Sequence, residues 1–281
     1  MGTRTNATVG ATPSSTGVLR PGAFARTFTF AETEADEGAA YWVQSIWSVT
    51  WAFPGGERQV SSVVPNPSIS VTVERGGGRR AGRDGDGVWI TGVATRRFDV
   101  LTEGVGGVVG IKFRPGGFTA LTGVDAGDLT DRVLTATELL PSSRMLADLP
   151  LDAGNASGAL CDWVRARGRG PDDRYDDVTR VLACLRDPEV TRVSALSQRC
   201  GLSVRTLQRL LRSYVGVGPK WLLARQRLHD AMIALDDGYA GSMADLAARL
   251  GWSDQTHFTR DFVAIVGTPP AAYRDRLQSD R

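Results

Sequence analysis

Two hydrophobic periods divide the chain. From Tyr41 to about Phe113, apolar residues alternate with polar ones: Val43, Trp47, Val49 and Trp51 with Gln44, Ser48 and Thr50, then Ile69, Val71 and Val73 with Ser70 and Thr72. A period of two turns one face of an extended strand toward a core and the other toward solvent. The first run closes at Gly55-Gly56 and the second at Gly76-Gly77-Gly78, and further short strands are expected over residues 88–93, 98–101 and 108–113. Short strands separated by glycine-rich turns predict a β-sandwich or small barrel. After Asp125 the period becomes helical, with Leu129, Val133, Leu134, Leu139 and Leu140 before a break at Pro141. An amphipathic helix carrying Val178, Val181, Leu182 and Leu185 then ends at Asp187-Pro188. Residues 166–177, rich in Gly and charge, separate it from Leu160, Trp163 and Val164 and read as a linker.

The last third contains one short pattern twice. Leu196, Arg199, Gly201 and Ser203 return as Leu246, Arg249, Gly251 and Ser253 at an offset of 50. Beyond the serine the offset becomes 51, pairing Leu207 with Phe258, Arg209 with Arg260, Leu211 with Phe262, Gly216 with Gly267 and Pro219 with Pro270. Such self-similarity marks a repeated structural unit. Each copy reads as a short amphipathic helix, a glycine that ends it in a left-handed conformation, a serine N-cap (Ser203, Ser253) and a second helix. Leu207 and Leu211, or Phe258 and Phe262, lie four apart and pack inward. The outer face is Arg205, Gln208, Arg209 and Arg212 in the first copy and Gln255, Thr256, His257 and Arg260 in the second. Arg and Gln make two-pronged contacts to guanine and adenine edges, so each copy has the make-up of a DNA-reading helix-turn-helix.

These residues resemble the DNA-binding domain of the AraC/XylS transcription regulators, in which a long helix joins two helix-turn-helix units. The resemblance is carried by Gly201-Leu202-Ser203, Leu207-Gln208-Arg209, Gly216-Val217-Gly218-Pro219, Arg227-Leu228, Gly251-Trp252-Ser253-Asp254, Phe258-Thr259-Arg260-Asp261-Phe262 and the block from Gly267 to Arg274. Trp252 stands where phenylalanine is usual and Leu211 where an aromatic is common, both still apolar. The N-terminal half is similar to the jelly-roll-like domains of an actinobacterial-looking subset, through Tyr41-Trp42, the segment from Gly92 to Phe98 and the segment from Phe113 to Phe118. The resemblance implies two recognition helices held about one DNA turn apart, ~34 Å, with Arg205, Gln208, Arg209, Gln255, Thr256 and His257 toward bases and Arg212, Arg260 and Lys220 toward phosphates or in mixed roles.

Charge sharpens this picture and composition narrows it. The formal net charge is only +2, yet eight basic residues between Val190 and Ala231 face a single acid, Asp230. Clustering of that kind is an electrostatic footprint for phosphates. No apolar run approaches the ~20 residues of a membrane helix, and the Thr/Gly/Ser-rich start does not read as a signal peptide, so a cytoplasmic protein without membrane contact is expected. Three cysteines (Cys161, Cys184, Cys200) in no pair motif argue against disulfides and zinc and read as small buried hydrophobes. The two histidines, His229 and His257, both lie in the C-terminal part, so a metal-binding cupin is not expected and no metal or cofactor is assigned. Asp84-Gly85-Asp86-Gly87 lacks the glutamate a calcium loop needs and reads as a hairpin turn. The glycines between Gly104 and Gly110 read as a softened strand start rather than a dinucleotide loop.

The expected protein is α+β with two domains: an N-terminal jelly-roll or cupin-like β-barrel and an all-α C-terminal domain with two helix-turn-helix units. The expected divisions are a mobile tail over 1–26, a sensory or dimerisation domain over 27–140, a helical connection over 141–172 and the DNA-binding domain over 173–281. Within the last, the units fall at about 193–214 and 243–265 and the linking helix at about 219–236. The expected function is sequence-specific transcription regulation on double-stranded DNA, controlled by a small effector, without catalysis. Trp47, Trp51, Trp89 and Arg114 are the candidate effector contacts, with core filling as the competing reading of the tryptophans. Two other readings stay open: a ligand-independent N-terminal domain that forms a homodimer or docks RNA polymerase, and an enzyme fused to the DNA-binding module.

Overall fold

The computed structural model describes residues 4–5, 24, 26–80, 83–170, 172–187 and 189–279. The expected tail over 1–26 lies almost wholly outside the described residues. Among the described residues, the N-terminal half forms one antiparallel sheet of nine strands: β1 (Arg4–Thr5), β2 (Thr29–Thr33), β3 (Val43–Ala52), β4 (Arg58–Val63), β5 (Ser70–Arg80), β6 (Arg83–Asp84), β7 (Gly87–Thr91), β8 (Phe98–Phe113) and β9 (Val133–Thr135). Its hydrogen-bonded order is β1-β2-β3-β8-β5-β7-β9, with β4 beside β8 and β6 beside β5. Among the described residues, β1 and β9 stand at the two ends of this path.

β8 is the spine. Its second half runs between β3 and β5, and its first half between β4 and β5. The two strands expected over 98–101 and 108–113 are thus one strand of 16 residues, with the intervening glycines inside it. The triple glycine likewise does not end β5. A Cβ on Gly76 would stand 2.2 Å from the Val105 carbonyl oxygen, and one on Gly77 2.3 Å from that of Glu103. Glycine lets the two backbones approach where the register shifts between Gly76 and Gly77. The Asp84 to Gly87 stretch joins β6 to β7, and the Asp86 carboxylate accepts from the Gly76 amide at 2.7 Å. Val133 to Thr135, assigned to a helical region by spacing, pairs as a strand with β7.

The helices are α1 (Gly117–Thr122), α2 (Ala136–Leu139), α3 (Ala153–Arg165), α4 (Asp173–Cys184), α5 (Val193–Cys200), α6 (Val204–Val215), α7 (Pro219–Asp236), α8 (Met243–Arg249), α9 (Gln255–Val266) and α10 (Pro270–Ser279). The main hydrophobic cluster runs without a break from Ala31 and Ile46 in the sheet, through Trp163 and Val178, to Leu196, Leu207 and Leu223. It crosses the boundary expected at 173. A second cluster holds Leu228, Met232, Leu246, Trp252, Phe258, Phe262 and Tyr273, and among the described residues takes from the β-domain Val64, just past the end of β4. Cys161 is buried, whereas Cys184 and Cys200 are half-buried.

Candidate nucleic-acid interface and β-domain cavity

The first helix-turn-helix is α5 and α6. Gly201, at φ 65°, ends α5, and Ser203 opens α6 by accepting from the Thr206 amide at 3.1 Å. Leu207, Leu210, Leu211, Tyr214 and Val215 are buried along one side of α6, which leaves Arg205, Gln208, Arg209 and Arg212 exposed on the other. The helix carries three arginines and no acid, a charge of +3 on an exposed face. Its far end is tied to the β-domain and to the cap of α4. Thr130 Oγ1 donates to the Gly216 carbonyl at 2.7 Å, Ser213 Oγ to Asp125 at 2.8 Å, and Tyr214 to Asp172 at 2.8 Å.

The second unit, α8 and α9, repeats this plan with one difference. Gly251 again has positive φ, 82°, but the N-cap of α9 is Asp254 rather than the expected Ser253. The Asp254 carboxylate accepts from the His257 amide at 2.7 Å, and that bond holds its pKa below the usual carboxylate value. The change of offset from 50 to 51 thereby has a physical origin: the inserted residue is the cap. Gln255, Thr256 and Arg260 are exposed, while His257 is half-buried and bridges Ser253 Oγ and Asp261 Oδ2, each at 3.1 Å. Arg260 Nε lies 3.8 Å from the same Asp261 carboxylate, so the charges of Arg260 and Asp261 cancel on α9.

Not all of the basic cluster is available to phosphates. Arg199 pairs with Asp187, and Arg225 on α7 donates to the Pro65 carbonyl. Burial pushes the Arg225 pKa down to about 10. Arg227 donates to the Gly251 carbonyl at 2.8 Å and lies over the Trp252 ring at 5.1 Å, fastening α7 to the turn of the second unit. Arg192 and Lys220 are exposed. Sequence counting does not separate these structural arginines from the surface ones, because their partners (Asp187, the Pro65 carbonyl, the Gly251 carbonyl) lie 12 or more residues away along the chain. His229 is half-buried with its Nδ1 unpartnered, and burial lowers its pKa.

Within the β-domain lies a cavity of about 240 Å³. Trp47 and Trp51 line it together with Phe28, Phe30 and Phe98. Trp89 and Arg114 do not. Trp89 lies against Gly87, and Arg114, exposed, donates to the Ala40 carbonyl at 2.8 Å. The wall also holds Glu32, Glu74, Asn66 and Lys112. Burial pulls the Lys112 pKa below the ordinary lysine value, and the nearby Arg225 acts in the same direction. Lys112 escaped sequence reasoning, although its signal was present: it is one of two lysines in the chain and interrupts the apolar end of β8. Among the described residues, no three His, Cys, Asp or Glu side chains gather as a metal site, and no helix is long and apolar enough to cross a membrane.

Comparison with known proteins adds family information to this geometry. Residues 196–276 match a helix-turn-helix domain family, and residues 32–135 match a domain family of unknown function. A putative AraC-like transcription regulator of Streptomyces lividans is 31% identical over 160 residues, covering 55% of this chain and 50% of that protein. The HTH-type transcriptional activator RhaS of Escherichia coli O139:H28 is 39% identical over 84 residues, 29% of this chain and 30% of RhaS. The structure of ToxT from Vibrio cholerae aligns at a TM-score of 0.41 with 11% identity, over 78% of this chain and 98% of ToxT. The chain spans half or less of the length of these curated relatives.

Proposed function

We propose that this chain, whose C-terminal domain is an AraC-type helix-turn-helix domain, regulates transcription by reading two neighbouring major-groove segments of double-stranded DNA. The observation that carries this reading is the pair of matched recognition helices, each buried on one side and presenting Arg and Gln on the other. Arg205, Gln208, Arg209, Gln255 and Thr256 are suited to base edges, and Arg212, Lys220 and Arg260 to phosphates or mixed roles. His257 also faces outward, but its ring nitrogens are already engaged, so its contact with DNA requires exchange of one of those bonds. A small effector in the β-domain cavity controls the DNA-binding state, with Trp47 and Trp51 among its walls.

Genome-wide mapping of bound sites followed by mobility-shift titration of the recovered sequences tests the DNA-binding reading. With Arg209→Ala and Arg260→Ala combined, specific affinity falls while the circular dichroism spectrum is retained. Unchanged affinity in that double variant would remove both helices from the interface.

A further inference from the structure

We infer that the β-domain cavity binds a small, uncharged, largely apolar alcohol, with Asn66 and Thr91 as the hydrogen-bonding partners of its polar end. This deepens the effector reading and rests on it. At about 240 Å³ the cavity falls just below the ~300–1,000 Å³ typical of ligand pockets, so its occupant is small.

Strand register sorts the wall into two ends. Ser70 pairs with Thr91 on one side and with Lys112 on the other, so these three stand in one row across β7, β5 and β8. All three line the cavity, as do Asn66 and Ser68 from the segment leading into β5. Four residues along β8 from Lys112, Val108 stands opposite Val49, and Trp51 lies beyond with Phe28 packed edge-on against it. The cavity thus has a polar end and an aromatic one, which suits a molecule with a polar head and an apolar body.

The charges on the wall favour an ion of neither sign. Glu32 and Glu74 supply carboxylates and Lys112 an ammonium. Glu74 accepts from Thr72 Oγ1 at 2.7 Å, while Glu32 acts on Lys112 as an opposite charge and Arg225 acts on it from α7 as a like one. An ion entering here meets repulsion as well as attraction, and gives up its hydration to do so.

Two neutral groups make the more specific demand. Asn66 Oδ1 and Thr91 Oγ1 are buried without a hydrogen-bond partner among the described residues. Buried polar atoms in folded proteins are nearly always paired, and an unpaired one carries the cost of its lost hydration. An amide oxygen only accepts, whereas a threonine hydroxyl donates or accepts. A carboxylate or an ether has no proton to give Asn66 Oδ1. An ammonium has one, but brings its charge to the row that holds Lys112. A hydroxyl donates to Asn66 Oδ1, pairs with Thr91 Oγ1 in either sense and carries no charge. Asn66 also follows Val64, in the core of the second unit, and Pro65, which accepts from Arg225 on α7. The polar end of the cavity and the linking helix therefore meet through three consecutive residues.

The test uses the full chain and four probes of one shape: 3-phenylpropanol, its methyl ether, 3-phenylpropanoate and 3-phenylpropylammonium. Occupancy is followed by tryptophan emission and DNA affinity by mobility shift in the same samples. The alcohol is expected to bind tightest, roughly threefold to tenfold better than the ether, the gain of one neutral hydrogen bond. Asn66→Leu removes that preference by weakening the alcohol, while the ether binds as well as before or better, a pattern that general damage to the domain would not give. Thr91→Val, nearly isosteric, acts in the same direction and serves if Asn66→Leu does not fold. The inference is overturned if the ether or either ion matches the alcohol, if a folded variant of either residue keeps the native preference, or if no probe alters the emission. Failure of the effector reading looks different: binding of the alcohol that depends on Asn66 and Thr91 yet leaves DNA affinity unchanged.

Discussion

The two helix-turn-helix units share a sequence pattern but not a mounting. The first unit's core is continuous with the sheet, and the end of α6 is hydrogen-bonded to Asp125 and Thr130 of the β-domain. The second has its own core and hangs from α7 through Arg227, and from the far end of that helix through Tyr273, which donates to Asp236 at 2.8 Å. Their outer faces differ too, with a charge of +3 on α6 and none net on α9. A repeated motif therefore specifies the local fold of each unit, while residues outside the motif decide which is the fixed reference and which the adjustable one. The first unit is fastened to the β-domain by these bonds and by the shared core. The second meets it at Val64 and where the Arg97 guanidinium lies against Gly267, and the linking helix α7 meets it where Arg225 donates to Pro65.

The largest expected effects test the separation of cores. Phe262 is fully buried and packs edge-to-face on Phe258 and Tyr273. Phe262→Ala is expected to cost about 3–5 kcal/mol, felt in the second unit alone. Leu211→Ala, in the shared core, is expected to cost about 2–5 kcal/mol and to loosen the sheet as well as α6. Hydrogen exchange resolved by segment distinguishes these outcomes. Equal loss of protection in the β-domain for both variants would erase the distinction between the units. A fragment of residues 173–281 sharpens it: the second unit keeps its native protection there, and α6, stripped of its partners in the β-domain, exchanges faster than in the full chain.

What the sequence disclosed follows the same division. The helix-turn-helix units were legible because their determinants are local: Gly201 and Gly251 after a helix, a cap beyond them, and apolar residues four apart. The sheet was legible only where alternation was clean, as from Val43 to Trp51. β4 escapes such a reading because Arg58–Val63 has three exposed residues followed by three half-buried ones, with no alternation, and β2 because its five residues give too short a pattern. The glycines of β5 and β8 read as turns and strand starts, since nothing local reveals that another backbone passes within reach of an absent Cβ. The candidate site divided likewise. Exposed positions on α6 followed from helical spacing, but Trp89 and Arg114 lie off the cavity while Lys112 lies on it, a matter of sheet curvature and register that no single strand contains.

An intermediate effect concerns the two outer faces. Arg209→Ala is expected to weaken specific binding by about 1–3 kcal/mol. Arg260→Ala is expected to fall at the lower end of that range, because Asp261 already neutralises part of its charge. Salt dependence separates them further, since each phosphate contact contributes roughly 0.9 to the slope of log affinity against log salt. Removing Arg205, Arg209 and Arg212 together should flatten the slope more than removing Arg260. Titrations at several salt concentrations measure both, and an equal change in slope would mean that the two faces meet the phosphates alike despite their charges.

The smallest expected effect tests the one-residue slip between the repeats. If the caps are Ser203 and Asp254, the sequence-equivalent serines are not functionally equivalent. Ser203→Ala removes the acceptor for the Thr206 amide and is expected to cost about 0.5–2 kcal/mol. Ser253→Ala leaves the bond from the His257 amide to Asp254 in place, so α9 keeps its start and the change stays within about 0.5 kcal/mol. Asp254→Ala should instead expose the first turn of α9, seen as faster exchange of its amides. The carboxylate cap adds a pH signature that the serine cap lacks. Because the folded-state pKa of Asp254 lies below the ordinary carboxylate value, its contribution is fully present above that ordinary value and is lost as pH falls through the folded pKa. Acid titration of amide exchange should thus release the start of α9 in a way that Asp254→Asn removes, with the start of α6 unaffected. If Ser253→Ala destabilised α9 more than Asp254→Ala, the cap would be the serine after all and the extra residue would need another explanation.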